Sequence, residues 1–200
     1  MKTFLHVGCG PKHKNQTTPG FNNNDWQELR LDIDERVNPD IVGTMLNMEA
    51  VASASVDAVF SSHNIEHLYP HEIPVSLNEF LRVLKPDGFL VLTCPDLQSV
   101  CALIADDKLT EAAYTSPAGD IAPLDILYGH RPQLAAGNLY MAHRSGFTRK
   151  VLQATLQHQG FTTVATLSRA RPFFDLWAIA SKSARTETEI RLLAGEHFPL

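Results

Sequence analysis

The 200-residue chain predicts an α/β fold built on a mostly parallel sheet. Two observations carry that prediction. Short apolar runs alternate along the chain with segments of helical period, the pattern of strands joined through helices. The runs are also cut off by Gly or Pro, as at Gly8, Gly10 and Pro95, residues that end a ladder and turn the chain. The length suits a single domain. A content of 44% hydrophobic and 20% charged residues is that of an ordinary globular protein.

Residues 4–7 are a compact apolar run and read as a first strand at the sheet centre. Residues 28–32 alternate and end on an acid, which suits a second strand; 40–43 is a brief third, 56–61 a fourth and 88–94 the clearest of all. Before the fifth strand, Ile73, Leu77, Phe80, Leu81 and Leu84 recur at helical spacing and mark one buried face. Lys85-Pro86-Asp87-Gly88 ends that helix as a turn. A second amphipathic helix runs from an N-cap at Thr148 through Val151, Leu152, Thr155 and Leu156, and Gly160 stands where a C′ glycine belongs. Residues 161–167 and 174–180 then pair as a hairpin across 168–172.

The other connections are thin. Residues 11–24 hold Pro19, Gly20 and an Asn run, and 33–39 is too short for a crossover helix. Residues 97–147 show weak helical patches at 99–105 and 110–114 and a long irregular remainder, the kind of stretch that forms a lid or binding loop. The tail from 186 to 200 has room for a short exposed helix. The expected organisation is one domain over 1–181, with 97–147 as a substrate lid or insert, and a tail over 182–200.

Charge and cysteine content exclude several function classes. Lys plus Arg is 17 against 22 Asp plus Glu, a net charge of −5, so the chain lacks the dense positive field of a nucleic-acid or anionic-membrane binder. No apolar stretch approaches the length of a transmembrane helix, and the first apolar run is too short for a signal peptide. Cys9, Cys94 and Cys101 fit neither a zinc ribbon nor a disulfide framework. A reducing, cytoplasmic compartment is expected.

Four features carry chemistry. Val7-Gly8-Cys9-Gly10-Pro11 follows a strand directly. Two glycines there let backbone approach a ligand closely and offer N–H donors, although a tight turn alone would also need them. A dinucleotide fingerprint wants a third Gly and a helix behind it; Lys12 and His13 stand there instead. Asp32 ends the second strand, where an acid can accept both hydroxyls of a ribose. Asp34 could share that role, or one acid merely ends the strand. His63, His67 and His71 have the i, i+4, i+8 spacing of a metal-binding helix face, but Pro70 interrupts it and no metal is expected. His63 follows the C-terminal edge of the fourth strand, where open sheets bind ligands. It can take a proton from an acceptor hydroxyl, or only shape the pocket. Finally, Tyr128, His130, Arg131, Tyr140, His143 and Arg144 mix rings and cations in one stretch. They suit a polar or anionic acceptor, or a solvated loop; His143 is the second catalytic candidate.

The order of these motifs resembles the class I S-adenosylmethionine-dependent methyltransferases, in particular a small bacterial methyltransferase type 11-like group. The resemblance runs from Leu5-His6-Val7-Gly8-Cys9-Gly10-Pro11 through Pro19-Gly20-Phe21 and Leu31-Asp32-Ile33-Asp34. It continues over 56–68 and 80–90 to Cys94-Pro95-Asp96, resumes at Tyr128-Gly129 and 143–147, and closes at Gly160-Phe161, about residues 3–181 in all. It implies a single Rossmann-like domain, a seven-stranded mostly parallel sheet with a C-terminal antiparallel hairpin, and S-adenosyl-L-methionine as cofactor. By the same resemblance Gly8, Cys9 and Gly10 cradle the methionine end and ribose of the cofactor. Asp32, with Ile33 beside it, binds the ribose, Met45 lies over the adenine, and Ser62 lines the methyl-transfer cavity with His63. Two positions depart from the wider pattern: His6 replaces an acid in the first strand, and Thr44 replaces an Asp after the third.

The function this implies is methyl transfer to O or N of a small-molecule or glycan-like acceptor. The alternatives are a cofactor-binding subunit without chemistry, acting as a regulator or partner, and an NAD or nucleotide-sugar enzyme on a Rossmann sheet. No nucleic-acid partner and no membrane span is expected. Residues 97–147 either close over substrate or pair with a second copy in a homodimer.

Overall fold

A computed structural model describes residues 1–199. Its main sheet has the order β3-β2-β1-β4-β5-β9-β8, with β1 at Lys2–Val7, β2 at Trp26–Asp32, β3 at Ile41–Val42, β4 at Val56–Ser62 and β5 at Leu84–Pro95. These five are parallel. The hairpin of β8 (Thr163–Arg169) and β9 (Asp175–Ser181) completes the sheet. Only β9 runs against the other six strands, in register with β5 from Phe89↔Ser181 to Pro95↔Asp175. The expected seven-stranded, mostly parallel α/β sheet is therefore what the chain forms. Its centre reads as continuous apolar sequence because both faces are covered; Phe4, Leu5, Val59, Leu90 and Leu92 are fully buried.

From β1 the chain builds outward to β3 and then returns to lay β4 on the other side of β1. That reversal opens a crevice at the C-terminal ends of β1 and β4, the position where such sheets bind ligands.

Helix α1 (Ile73–Val83) buries Ile73, Leu77, Phe80 and Val83. Leu84, read from the sequence as part of this helix, instead opens β5. The expected turn at 85–88 is an excursion inside that strand, since pairing jumps from Val56↔Leu84 to Ala58↔Phe89. The helix at Arg149–Gln159 starts at Thr148, whose Oγ1 accepts from the Val151 amide at 3.4 Å, and stops at Gly160 with φ 114°. Leu152 and Leu156 are its buried face, whereas Val151 is exposed. Together with α1 this helix covers one side of the sheet.

The opposite side lacks a crossover helix after β1; Lys14–Gln16 forms only a single 3-10 turn. The C-terminal helix Glu187–His197 takes that place. Ile190 joins Phe4, Phe21, Trp26, Phe60 and Phe89 in a second core, and His197 packs 4.3 Å from the Phe21 ring. The helix expected in the tail is thus present, but one of its faces is buried rather than exposed.

Residues 97–147 hold more structure than their sequence suggested. The patch at 99–105 is helix α2 (Leu97–Ala105). The patch at 110–114 is not helical; a small hairpin follows, β6 (Tyr114–Ser116) with β7 (Gly119–Ile121). Helices α3 (Pro123–Tyr128) and α4 (Arg131–Ala135) come next; the helices at Arg149–Gln159 and Glu187–His197 are α5 and α6. Elements this short show no periodicity. Val100, Ala113, Ile121, Ile126 and Phe174 hold them together as a third apolar cluster. Among the described residues, no helix is long and apolar enough to cross a membrane.

Candidate functional site

A cavity of about 440 Å³ lies at the C-terminal ends of β1, β2 and β4. One wall is the loop after β1. Gly8 and Gly10 have φ of 62° and 52°, a left-handed backbone that other residues adopt only at a cost. Asn64 explains why the first must be Gly: a Cβ there would stand 2.1 Å from its Oδ1. Asn64 is itself fixed, its Nδ2 donating to Val7 O and Ser62 O, both at 3.0 Å. A Cβ on Gly10 would meet nothing within 4 Å, so this turn of backbone faces open space.

Asp32 links that loop to β2. Its Oδ2 accepts from the Gly10 amide at 2.7 Å and its Oδ1 from the Asp34 amide at 2.9 Å. The carboxylate is only 8% exposed and is aimed into the cavity with half its acceptor capacity unused. Beneath the loop lies Arg30, a buried guanidinium that reaches no carboxylate among the described residues. Its Nη2 donates to Gly10 O at 2.6 Å and Val37 O at 3.2 Å, its Nη1 to Asn38 O at 2.7 Å and its Nε to Lys12 O at 3.2 Å. One side chain thereby ties the glycine loop to the β2–β3 connection.

Of the residues singled out from the sequence, Gly8, Gly10, Asp32, Ile33, Met45 and His63 line the cavity. Cys9 points away and is buried; burial pushes its thiol up to about 11, and it offers the site backbone only. Ser62 stands behind the lining, its Oγ 2.8 Å from Thr93 Oγ1. His143 is also outside the lining, held by its Nδ1 to Ile126 O at 2.7 Å and edge-on to His67 with ring centroids 4.9 Å apart. The two departures separate in space. His6 faces the second core, its Nδ1 2.7 Å from Glu28 Oε1, and burial lowers its pKa; Thr44 remains in the cavity wall.

Sequence reasoning passed over Asn64 and Leu46 as site residues and assigned Arg144 and Tyr140 no individual role. Tyr140 and Arg144 arrive from the far end of the 97–147 stretch and complete the lining of the cavity. The guanidinium of Arg144 lies 4.8 Å from the Tyr69 ring centre and its Nη1 donates to His67 O at 3.2 Å.

His63 has φ 55°, a conformation that costs a non-glycine residue about 1–3 kcal/mol. It is anchored through its amide to Thr93 O at 3.0 Å. Its Nδ1 lies 3.4 Å from Glu66 Oε1. Desolvation would lower the imidazole pKa, but the Glu66 carboxylate outweighs it and the pKa is raised. Glu66 is 1% exposed and neither carboxylate oxygen accepts a hydrogen bond. Burial pushes its pKa up, yet the facing histidines, His63 first, hold it below the usual range. Burial lowers the pKa of His143.

Comparison with known proteins bears on this geometry. Residues 5–92, from β1 into β5, match the methyltransferase domain family. No curated protein sequence matches the chain significantly. Among solved structures, the fold is similar to a 1,6-didemethyltoxoflavin-N1-methyltransferase of Burkholderia thailandensis, with bound 1,6-didemethyltoxoflavin and S-adenosylhomocysteine. That match has a TM-score of 0.59 and 15% identity over 92% of this chain and 72% of the other. A SAM-dependent methyltransferase of Archaeoglobus fulgidus matches with a TM-score of 0.60 and 16% identity, over 90% of this chain and 86% of the other.

Proposed function

We propose that this class I S-adenosylmethionine-dependent methyltransferase, identified by its family match and fold, methylates O or N of a small-molecule or glycan-like acceptor. The observation that carries the proposal is the Asp32 carboxylate, held by two backbone amides at the edge of the cavity. A carboxylate has about four acceptor positions. The two that remain suit the paired hydroxyls of the cofactor ribose, and charge-assisted bonds of this kind contribute about 1.5–3 kcal/mol each. The Gly8–Gly10 backbone takes the methionine end, while Ile33 and Met45 give apolar walls for the adenine. A volume of about 440 Å³ is within the usual range for a small-molecule pocket.

When bound, the cofactor supplies a methyl group on a positively charged sulfur, open to in-line displacement. The chain's own work is alignment, which can contribute about 7–11 kcal/mol. Tyr140 and Arg144 close the acceptor side, and the Arg144 charge favours a polar or anionic acceptor. His63 takes the proton released by an acceptor hydroxyl, with Glu66 behind it to stabilise the imidazolium. The toxoflavin-precursor enzyme with its bound acceptor supports a small-molecule acceptor here. A non-catalytic binding subunit is not favoured, since the family match is to a methyltransferase domain. Cys9, Cys94 and Cys101 are free thiols, which supports a reducing, cytoplasmic location.

Calorimetric titration with S-adenosylhomocysteine, run beside NAD, tests the cofactor assignment: micromolar affinity for the first and none for the second is expected. A response to NAD alone overturns it. Methyl transfer from labelled S-adenosylmethionine to panels of hydroxylated and amine small molecules then identifies the acceptor. With a hydroxyl acceptor, His63→Ala should lower turnover by about 10²-fold or more and leave S-adenosylhomocysteine affinity within about twofold. An unchanged rate removes His63 from the chemistry.

A further inference from the structure

We propose that Glu66, His67 and His143 bind one divalent transition-metal ion, of the zinc class, in the wall of the cavity. One ligand atom from each lies within 4.8 Å of the other two. Tetrahedral ligands about 2.1 Å from a zinc ion stand about 3.4 Å apart, so small side-chain rotations close the set around an ion.

Two further observations point the same way. The first is the state of the rings. His67 Nδ1 lies 3.1 Å from Ala142 O and His143 Nδ1 lies 2.7 Å from Ile126 O. A carbonyl can only accept, so each Nδ1 donates its proton there, and Nε2 is the nitrogen left to bind a metal ion. Holding a ring by one nitrogen to a main-chain carbonyl is the usual way a protein presents the other to a metal. The second is Glu66. It is 1% exposed, and both carboxylate oxygens lack a hydrogen-bond partner among the described residues. Oε1 has His63 Nδ1 at 3.4 Å; Oε2 remains free for a cation. A buried carboxylate without a hydrogen-bond partner is costly by itself, and a cation shared with the two imidazoles would satisfy it.

Two imidazoles and one carboxylate suit zinc, cobalt or nickel better than magnesium or calcium, which prefer oxygen. Three protein ligands leave a coordination position open to water or to an acceptor oxygen. His67, which lines the cavity, sets the ion at its wall. None of this depends on the cofactor assignment.

The test uses the full chain, stripped with chelator and returned to metal-free buffer. Cobalt(II) is followed by its visible absorption, and zinc by calorimetry. One ion per chain is expected, with the intense cobalt bands of a four-coordinate site. Glu66→Gln and His143→Ala should each weaken affinity at least a hundredfold, whereas His158→Ala, on an exposed turn of α5, should not change it. Absence of stoichiometric uptake by the wild type overturns the site, as does equal uptake by Glu66→Gln. If His143→Ala does not fold, the near-isosteric Glu66→Gln decides alone. S-adenosylhomocysteine affinity, measured on the same preparations, reports separately on the cofactor pocket.

Discussion

The carboxamide of Asn64 fills the space that a side chain on Gly8 would need, with a Cβ at residue 8 placed 2.1 Å from Asn64 Oδ1. The contact joins the tips of β1 and β4, the two parallel strands between which the order of strand addition reverses. The backbone that faces the cavity therefore depends on one missing Cβ and on one amide locked between Val7 O and Ser62 O.

Gly8→Ala meets two obstacles. The left-handed φ of 62° costs an alanine about 1–2 kcal/mol, and Asn64 must leave its position, breaking two hydrogen bonds worth about 1 kcal/mol each. A loss of about 2–4 kcal/mol in urea unfolding is expected, together with at least tenfold weaker S-adenosylhomocysteine binding. A variant with wild-type stability and affinity would show that the loop tolerates a Cβ and that Asn64 is not its lock.

Asp32→Ala removes the acceptor for the Gly10 and Asp34 amides as well as the proposed ribose contact. Affinity for S-adenosylhomocysteine should fall by about 10- to 100-fold, the equivalent of about 1.5–3 kcal/mol. Asp32→Asn separates the two roles. It retains one acceptor oxygen for the loop but offers the ribose fewer acceptors, so it should hold stability better than the alanine variant while still binding less tightly. Unchanged affinity in both variants would remove Asp32 from the binding site.

Arg30 lies beneath the glycine loop, yet it is expected to control it. Its guanidinium reaches four carbonyl oxygens, those of Gly10, Lys12, Val37 and Asn38. A lysine has no fork to span them. Both Arg30→Lys and Arg30→Met should destabilise the fold by about 2–4 kcal/mol and weaken S-adenosylhomocysteine binding, though neither touches the ligand. Thermal melts and calorimetry on the two variants check this; stability lost without any change in affinity would make Arg30 a fold residue only.

The sheet was legible because its evidence is local. Residues 4–7 and 88–94 are unbroken apolar runs, and strands buried on both faces read that way. Asp32 and the two glycines were legible for the same reason, since strand ends place them. The wall opposite was not. Glu66 and His67 sit in one short turn at Ile65–His67, but His143 joins them only through the path of the 97–147 stretch. That stretch is assembled from elements of three to nine residues, too short to announce themselves by period. The spacing of His63, His67 and His71 says nothing of His143: His71 stacks on Tyr69 at 5.7 Å, and the ring beside His67 is that of His143. The role of α6 was hidden too, because nothing in residues 187–197 says which bare sheet face they must cover.

That last contact makes stability depend on pH. His197 is 1% exposed, its Nδ1 lies 2.6 Å from Thr18 Oγ1, and its ring packs against Phe21 and Phe89. Burial pulls its pKa from 6.5 down to about 4, with no charged neighbour among the described residues to offset it. A histidine whose pKa is lower in the folded than in the unfolded chain is protonated preferentially on unfolding. Its contribution is therefore full above pH 6.5 and declines as the pH falls towards about 4. The whole effect is on the order of 3 kcal/mol, of which about 2 kcal/mol should be lost between about pH 7 and 5. His197→Phe keeps a ring in the aromatic cluster and removes the proton site. Urea unfolding at pH 7 and pH 5 should show a smaller drop in midpoint for the variant than for the wild type. Equal drops would mean that α6 opens to solvent before the imidazole titrates, and that the C-terminal helix covers the sheet more loosely than its packing indicates.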